Sequence, residues 1–320
     1  MAPSAITPPS SPGPGPLLES ISDEIDTLNI LKDRARARAK LAAKQALYDA
    51  QPTFDAEKDK SAFRQYTTAS SRVKNFYAEQ HAKQTLSYNL LARSKFHSPS
   101  RVRPEMTVWE AIEMLNTLID ESDPDTELSQ IQHLLQSAEA IRRDGKPRWM
   151  QLVGLIHDLG KLMLFFDGAQ GQWDVVGDTF PVGCRFDEAC VFPETFAANP
   201  DLGHEVYGSE MGIYEEGCGI DELIMSWGHD EYLYLVVRDQ SLIPEEGLAM
   251  IRYHSFYPWH KEGAYGRFMK NGDEALLRAV RAFNPYDLYS KSDEVPKVEE
   301  LKPYYLELIG EFFPQGKIKW

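Results

Sequence analysis

The run Gln151-Leu-Val-Gly-Leu-Ile-His157-Asp158-Leu-Gly-Lys161-Leu-Met-Leu-Phe-Phe166 sets three ionisable side chains in an otherwise apolar stretch. A segment apolar on nearly every side is a buried one. Buried charges are strongly unfavourable unless they are paired or bind a metal. Spacings of three and four residues place Lys161 beside Asp158 and His157 on one helix surface. A single buried histidine is commonly no more than hydrogen-bonded, but a His-Asp doublet followed by Gly-Lys is hard to explain as packing. The other chemistry-bearing residues are spread along the chain. His133 stands in the preceding helix, His229 and Asp230 in Ser226-Trp-Gly-His-Asp-Glu-Tyr232, and His254 in Arg252-Tyr-His-Ser-Phe-Tyr-Pro-Trp-His260. Asp287 stands in Phe283-Asn-Pro-Tyr-Asp-Leu-Tyr-Ser-Lys291. His133, His157, His229 and His254, with Asp158 and Asp287, suit a dinuclear metal centre in the core of a bundle. Nitrogen and oxygen donors without thiolates favour iron, manganese or zinc.

The elements that must position these residues read as helices. Thr107-Val-Trp-Glu110 is a capping-box pattern ahead of the apolar positions Ile112, Leu115, Leu118 and Ile119. Helices are expected over 126–143 and 149–166, parted by Gly145-Lys146-Pro147, and over 220–238, 244–256, 273–284 and 301–313. Residues 170–192 are the exception, where Trp173, Val175, Val176 and the stretch to Phe192 suggest a small β-hairpin. No internal repeat and no strand–helix alternation is visible, so the class is all-α. The opening 16 residues, rich in Pro and Ser, are expected to be disordered, and 17–50, rich in Ala, Lys, Arg and Leu, to form a solvated helix. The chain thus divides into an N-terminal extension, 1–50, and a helical domain, 51–320.

Composition narrows the function. A net charge of -15 argues against nucleic acid as a partner and slightly favours a neutral small molecule over a phosphorylated one. Cys184, Cys190 and Cys218 form no CxxC pair, which fits a reducing compartment. No apolar run is long enough to cross a bilayer, and no signal sequence is visible, so a cytoplasmic protein with no membrane partner is expected. No GxGxxG follows a strand, so neither flavin nor NAD is indicated.

The His157-Asp158 doublet with Leu-Gly-Lys resembles the HD-domain superfamily, helical metal proteins most of which are phosphohydrolases. A longer set of strings is similar to the myo-inositol oxygenase family. They are SAFRQY at 61–66, LIDESDPD at 118–125, LVGLIHDLGK at 152–161, VVGDTFPVGC at 175–184, MSWGHDEY at 225–232, RYHSFYPWH at 252–260 and FNPYDLYSK at 283–291. The resemblance runs from about residue 55 to the C-terminus, and the long N-terminal extension is absent from animal members of the family. It implies an HD-domain-like helical bundle holding two iron ions in a mixed-valent Fe(II)/Fe(III) state. His133, His157, Asp158 and Asp287 would bind one iron, and Asp158 would bridge to a second held by His229 and His254. Lys161 would be catalytic, stabilising an alkoxide of the substrate. Arg64, Asp120, Glu121, Ser122, Lys161, Gly177, Asp178, His254 and Ser255 would contact a polyol. The implied reaction cleaves myo-inositol with O2 to D-glucuronate and water, in a monomer whose reducing equivalents come from the substrate itself.

Two other readings compete. A metal-dependent HD phosphohydrolase acting on a nucleotide or other phosphoester would need a basic pocket, and few arginines flank the candidate ligands. A metal-stabilised scaffold would leave Lys161 dispensable. Asp230 is expected at most to orient a ligand histidine. His81, His97 and His204 are expected at the surface, and His260 near the site, supporting a ligand or serving the structure.

Overall fold

The computed structural model describes residues 32, 36, 53–56, 58–60, 63–122, 129–166, 169–290 and 296–320. The disorder expected before residue 17 lies outside them, as does the helix expected over 17–50 apart from Lys32 and Arg36, and as do residues 123–128 of the acidic loop. From Gln51 onward the chain is one compact unit. Its first two helices, α1 (Ser71–Lys83) and α2 (Leu86–Phe96), start where the Ser70 and Thr85 side chains accept from backbone N–H groups that have no partner inside a helix. Strand β1 (Glu105–Thr107) leads into α3 (Val108–Leu115), and the reciprocal Thr107–Glu110 capping box is present.

Helices α4 (Gln130–Arg143) and α5 (Arg148–Ile156) pack closely and supply the centre of the core. After them come α6 (His229–Val237), α7 (Glu245–Tyr253), α8 (Asp273–Tyr289) and α9 (Val298–Phe312), then strand β2 (Lys317–Lys319). Strand β2 pairs antiparallel with β1, Met106 opposite Ile318. The fold is therefore all-α with one small two-stranded sheet, but the sheet is not where the sequence suggested. Residues 170–192 hold a 3-10 turn, Gln172–Asp174, and a single bridge between Pro181 and Met225. The backbone there is satisfied by distant partners instead: Val182 N–H donates to Ile224 O and Thr179 N–H to Ser255 O.

Three further differences bear on the site. The helix expected over 149–166 stops at Ile156, and a 3-10 turn, Leu159–Leu162, follows. The cause is a close approach: a Cβ on Gly160 would lie 1.9 Å from the carbonyl oxygen of His229, so the chain turns there to seat against the start of α6. Helix α6 begins only at His229, because Ser226, Trp227 and His229 spend their N–H groups on Phe180 O, Asn89 Oδ1 and Val175 O. Helix α8 runs five residues past the expected end at 284, through Pro285. A proline inside a helix costs about 3 kcal/mol. Burial of the apolar surface of Tyr286 and Leu288 opposes that cost. No described helix is long and apolar enough to cross a membrane.

Candidate metal centre

Six of the residues singled out in the sequence meet in the interior, mostly at helix ends. His133 projects from α4 and Asp287 from the last turn of α8. His157 and His254 are the C-terminal caps of α5 and α7, and His229 is the first residue of α6. Each cap histidine bends back on its own helix: His157 Nδ1–H donates to Gly154 O at 3.0 Å, and His254 Nδ1–H to Ile251 O at 3.0 Å. His229 Nδ1–H donates to Val175 O at 2.8 Å. A ring whose Nδ1 carries the proton offers Nε2 as a lone pair, the arrangement that metal-ligating histidines use. Asp158 was expected on a helix beside His157 and instead sits in the turn after it.

The carboxylate of Asp158 separates two groups of donors. Its Oδ2 lies 3.7 Å from the Nε2 atoms of both His133 and His157, while Asp287 Oδ1 lies 3.1 and 3.3 Å from the same two nitrogens. Its Oδ1 lies 3.4 Å from His229 Nε2 and 3.6 Å from His254 Nε2. Those last two nitrogens are 3.3 Å apart. Such separations are those of atoms sharing one cation at about 2.0–2.2 Å from each donor. His157 Nε2 is buried with no hydrogen bond. No cysteine belongs to the metal-competent groups found among the described residues.

The charge balance points the same way. Asp120, Asp158, Asp230 and Asp287 are all buried here, and the one buried ammonium among them is Lys161. Lys161 Nζ lies 2.8 Å from Asp120 Oδ2 and 2.8 Å from Asp158 Oδ2. Burial opposes ionisation of Asp158, but Lys161 and His157 outweigh it and hold the carboxyl well below its ordinary range. Burial likewise opposes ionisation of Asp287, which His133 and His157 hold down. At His254 burial favours the neutral ring, yet the carboxylates of Asp230, Asp158 and Asp287 push its affinity for a proton up to about 9. The excess of negative charge that draws a proton there would draw a metal cation equally, so the donor set fits metal binding.

The residues expected to contact a polyol are placed unevenly. Asp120, Ser122, Asp178, Lys161, His254 and Ser255 are buried. Asp120 Oδ1 accepts from Ser122 N–H and Oγ–H, so the two form one turn beside Lys161. Arg64 pairs through both terminal nitrogens with Asp178 and stacks 3.3 Å from the Tyr257 ring centroid. Gly177 lies at φ +93°, and a Cβ there would run into Phe76 and Gln80 of α1. Glu121 differs: it is exposed, and its N–H is taken by Gln172. Asp230 is not the partner of His229 Nδ1, which Val175 holds; its Oδ1 lies 2.9 Å from the opposite nitrogen, Nε2.

Sequence reasoning missed several residues. His81 is buried rather than at the surface, with Nδ1 2.6 Å from Thr195 Oγ1 and its ring stacked on Phe196. Glu231, next to Asp230, forms a buried two-pronged pair with Arg252 and lies 3.4 Å from Arg93. The only signal for it was a second acidic residue in succession at the start of an apolar helix. His97 and His204 are exposed, and His260 is buried, 2.9 Å from His254 O.

Comparison with known proteins adds an independent line. The family model described as myo-inositol oxygenase matches residues 70–320. The chain is 45% identical over 313 residues to inositol oxygenase 1 of Arabidopsis thaliana, covering 95% of this chain and 99% of that protein. It is 47% identical to inositol oxygenase of Dictyostelium discoideum, over 83% of this chain and 92% of that one. With inositol oxygenase of Danio rerio the identity is 46%, over 82% of this chain and 95% of that protein. These matches disfavour a phosphohydrolase.

Proposed function

The chain belongs to the myo-inositol oxygenase family, and on that premise we propose that it opens the ring of myo-inositol with O2, giving D-glucuronate and water. The observation that carries this reading is the division of donors by Asp158, one oxygen facing His133 and His157, the other His229 and His254. We assign His133, His157, Asp158 and Asp287 to one iron, and His229, His254 and Asp158 to the second. The second ion has fewer protein ligands, which leaves room beside it for substrate and O2. Bound iron would supply the redox chemistry that activates O2, without flavin or NAD. Nitrogen and oxygen donors alone suit that metal.

The chain's own residues bind and orient the polyol. Lys161 has three N–H donors. Two of them face Asp120 and Asp158, and the third can donate to a substrate oxygen and favour its alkoxide form. The same carboxylates keep the amine protonated: burial works against the charge, and Asp120 and Asp158 raise its proton affinity above that of an ordinary lysine. Asp120, Ser122, Asp178, Ser255 and His254 supply acceptors and donors for the other hydroxyls, with Arg64 fixed through Asp178 and Gly177 giving backbone access. Glu121 would act through its backbone, or after its side chain turns inward. Residues 51–320 form the catalytic unit in this reading, monomeric and cytoplasmic, with 1–50 as an extension.

The test is anaerobic metal analysis joined to an oxygen electrode. About two irons per chain are expected from the number of ligands, with inositol-dependent oxygen uptake and D-glucuronate as product. Oxygen uptake at background in iron-loaded protein with inositol present would refute the reading. Asp158→Ala is expected to lose the paired ions, since one carboxylate serves both.

A further inference from the structure

Asp230 is buried at the edge of the second group of donors, and the assignments above give it no role. Both of its oxygens accept from Ser255, Oδ1 from Oγ–H at 3.0 Å and Oδ2 from the backbone N–H at 3.0 Å, while Oδ1 also lies 2.9 Å from His229 Nε2. Ser255 follows His254 at the end of α7, and Asp230 follows His229 at the start of α6. The two bonds therefore tie the helix ends that carry His229 and His254, whose Nε2 atoms lie 3.3 Å apart.

The same bonds decide how the Ser255 hydroxyl faces the site. A serine hydroxyl has one proton and two lone pairs, and an ionised carboxylate can only accept. With its proton given to Asp230, Ser255 Oγ presents lone pairs on its remaining sides, and it lies 3.4 Å from His229 Nε2. Lys161, which can only donate, stands on the far side of Asp158. One wall of the site thus accepts and the other donates. We propose that Asp230 is a positioning residue that makes Ser255 an obligatory hydrogen-bond acceptor for a substrate hydroxyl while joining His229 to His254. The proposal rests on the inositol oxygenase reading above. It restricts the substrate at that position to a group bearing a proton, so an O-methyl ether or a ketone there is rejected.

Asparagine at 230 reverses the polarity. To keep accepting from Ser255 N–H, its carbonyl must take the Oδ2 place, which leaves an amide NH2 against Oγ and turns the hydroxyl proton toward the substrate. The experiment compares full-length, iron-loaded wild type, Asp230→Asn, Ser255→Ala and the double variant for iron content, kcat and KM for myo-inositol. Wild-type oxygen uptake is measured first, so failure of the underlying reading shows there, before any variant is used. Asp230→Asn is expected to keep its iron and to raise KM about tenfold, one hydrogen bond's worth, with a smaller change in kcat. Ser255→Ala is expected to do the same, and the double variant to be no worse than the worse single one. Loss of one iron from Asp230→Asn would make Asp230 a metal ligand and overturn the proposal. Multiplying effects in the double variant would overturn it too, since Asp230 would then act independently of Ser255. Should Asp230→Asn fail to fold, Ser255→Ala decides alone: raised KM with full iron content supports the proposal, and unchanged KM overturns it.

Discussion

Replacing Lys161 by methionine keeps the length of the side chain and removes its charge. The Lys161 ammonium is shared by two buried carboxylates, at 2.8 Å from Asp120 Oδ2 and 2.8 Å from Asp158 Oδ2. Asp120 would retain its two bonds from Ser122, but neither supplies charge. Removing one partner of a buried ion pair costs about 3–5 kcal/mol. In a domain of this size each kcal/mol moves the melting temperature by roughly 2–4 °C, so metal-free Lys161→Met should melt on the order of 10 °C below wild type. Adding Asp120→Asn removes one of the stranded charges, and the double variant should recover part of the loss, a non-additivity expected of contacting residues. Iron should narrow the gap as well, because a bound cation neutralises Asp158 in place of the ammonium. Thermal unfolding followed by circular dichroism, with and without iron, reads all three. A metal-free variant melting within about 2 °C of wild type, less than one kcal/mol's worth, would refute the reasoning. Oxygen uptake in the loaded variant should fall about a hundredfold or more, as when a preorganised donor to a developing oxyanion is lost.

Gly160→Ala should displace His229, because the new Cβ would lie 1.9 Å from the His229 carbonyl oxygen; metal titration should then show the second ion binding weakly while the first is retained. Glu231→Gln should destabilise by about 3–5 kcal/mol by stranding Arg252. Burial opposes ionisation of Glu231, but Arg252 and Arg93 outweigh it and hold the group below the ordinary glutamate value. The pair therefore contributes fully above about pH 4.3 and less as pH falls through the lowered value. The urea midpoint of wild type should decline over that acidic range, and that of Glu231→Gln should decline less. Burial pushes His81 down to about 3, against an unfolded value near 6.5. The folded state thus loses stability as pH falls from about 6.5 toward that value, by up to about 1.4 kcal/mol per pH unit. His81→Gln should flatten this slope in melting scans, and an unchanged slope would mean that His81 takes up a proton without unfolding.

The capping box at Thr107 and the helical class were legible because they depend on neighbours in sequence and on periodicity. The buried His-Asp-Lys cluster was legible because charge inside an apolar run has few explanations. What could not be read was where helices stop for tertiary reasons. The end of α5 at Ile156 is imposed by the backbone of His229, about seventy residues away, pressing on Gly160. The continuation of α8 through Pro285 overrides a local penalty by burying Tyr286 and Leu288 on either side of Asp287. The hairpin expected over 170–192 failed because its aromatic residues are buried against helices, Trp173 beside Tyr88 of α2 and Phe180 beside His81 of α1, while the N–H groups of Val182 and Thr179 go to Ile224 and Ser255 rather than to a neighbouring strand. His81 lies in a helix polar enough to suggest exposure, yet it faces Thr195 and Phe196, contacts that nothing local announces.

A pattern joins these points. Of the six residues around the proposed ions, four are a helix's first residue, its cap or part of the turn beside it, and Asp287 stands in the last turn of α8. A terminus leaves backbone carbonyls without intrahelical partners, and His157 and His254 use such carbonyls, three residues back, to hold Nδ1 and aim Nε2 inward. The ring orientation is then set by the helix's own last turn, before any metal arrives. What remains to be fixed is the spacing between termini, and buried polar pairs do that work: Glu231 with Arg252 ties α6 to α7, and Asp230 with Ser255 ties the same helices nearer the site. Such pairs contribute little net stability against an apolar replacement but strongly penalise any other arrangement. Geometry at this centre should consequently be more sensitive to these pairs than overall stability is. Replacing Glu231 and Arg252 together by apolar residues should leave a folded chain that binds the second ion poorly, an outcome that iron content and melting temperature, measured side by side, would separate from simple unfolding.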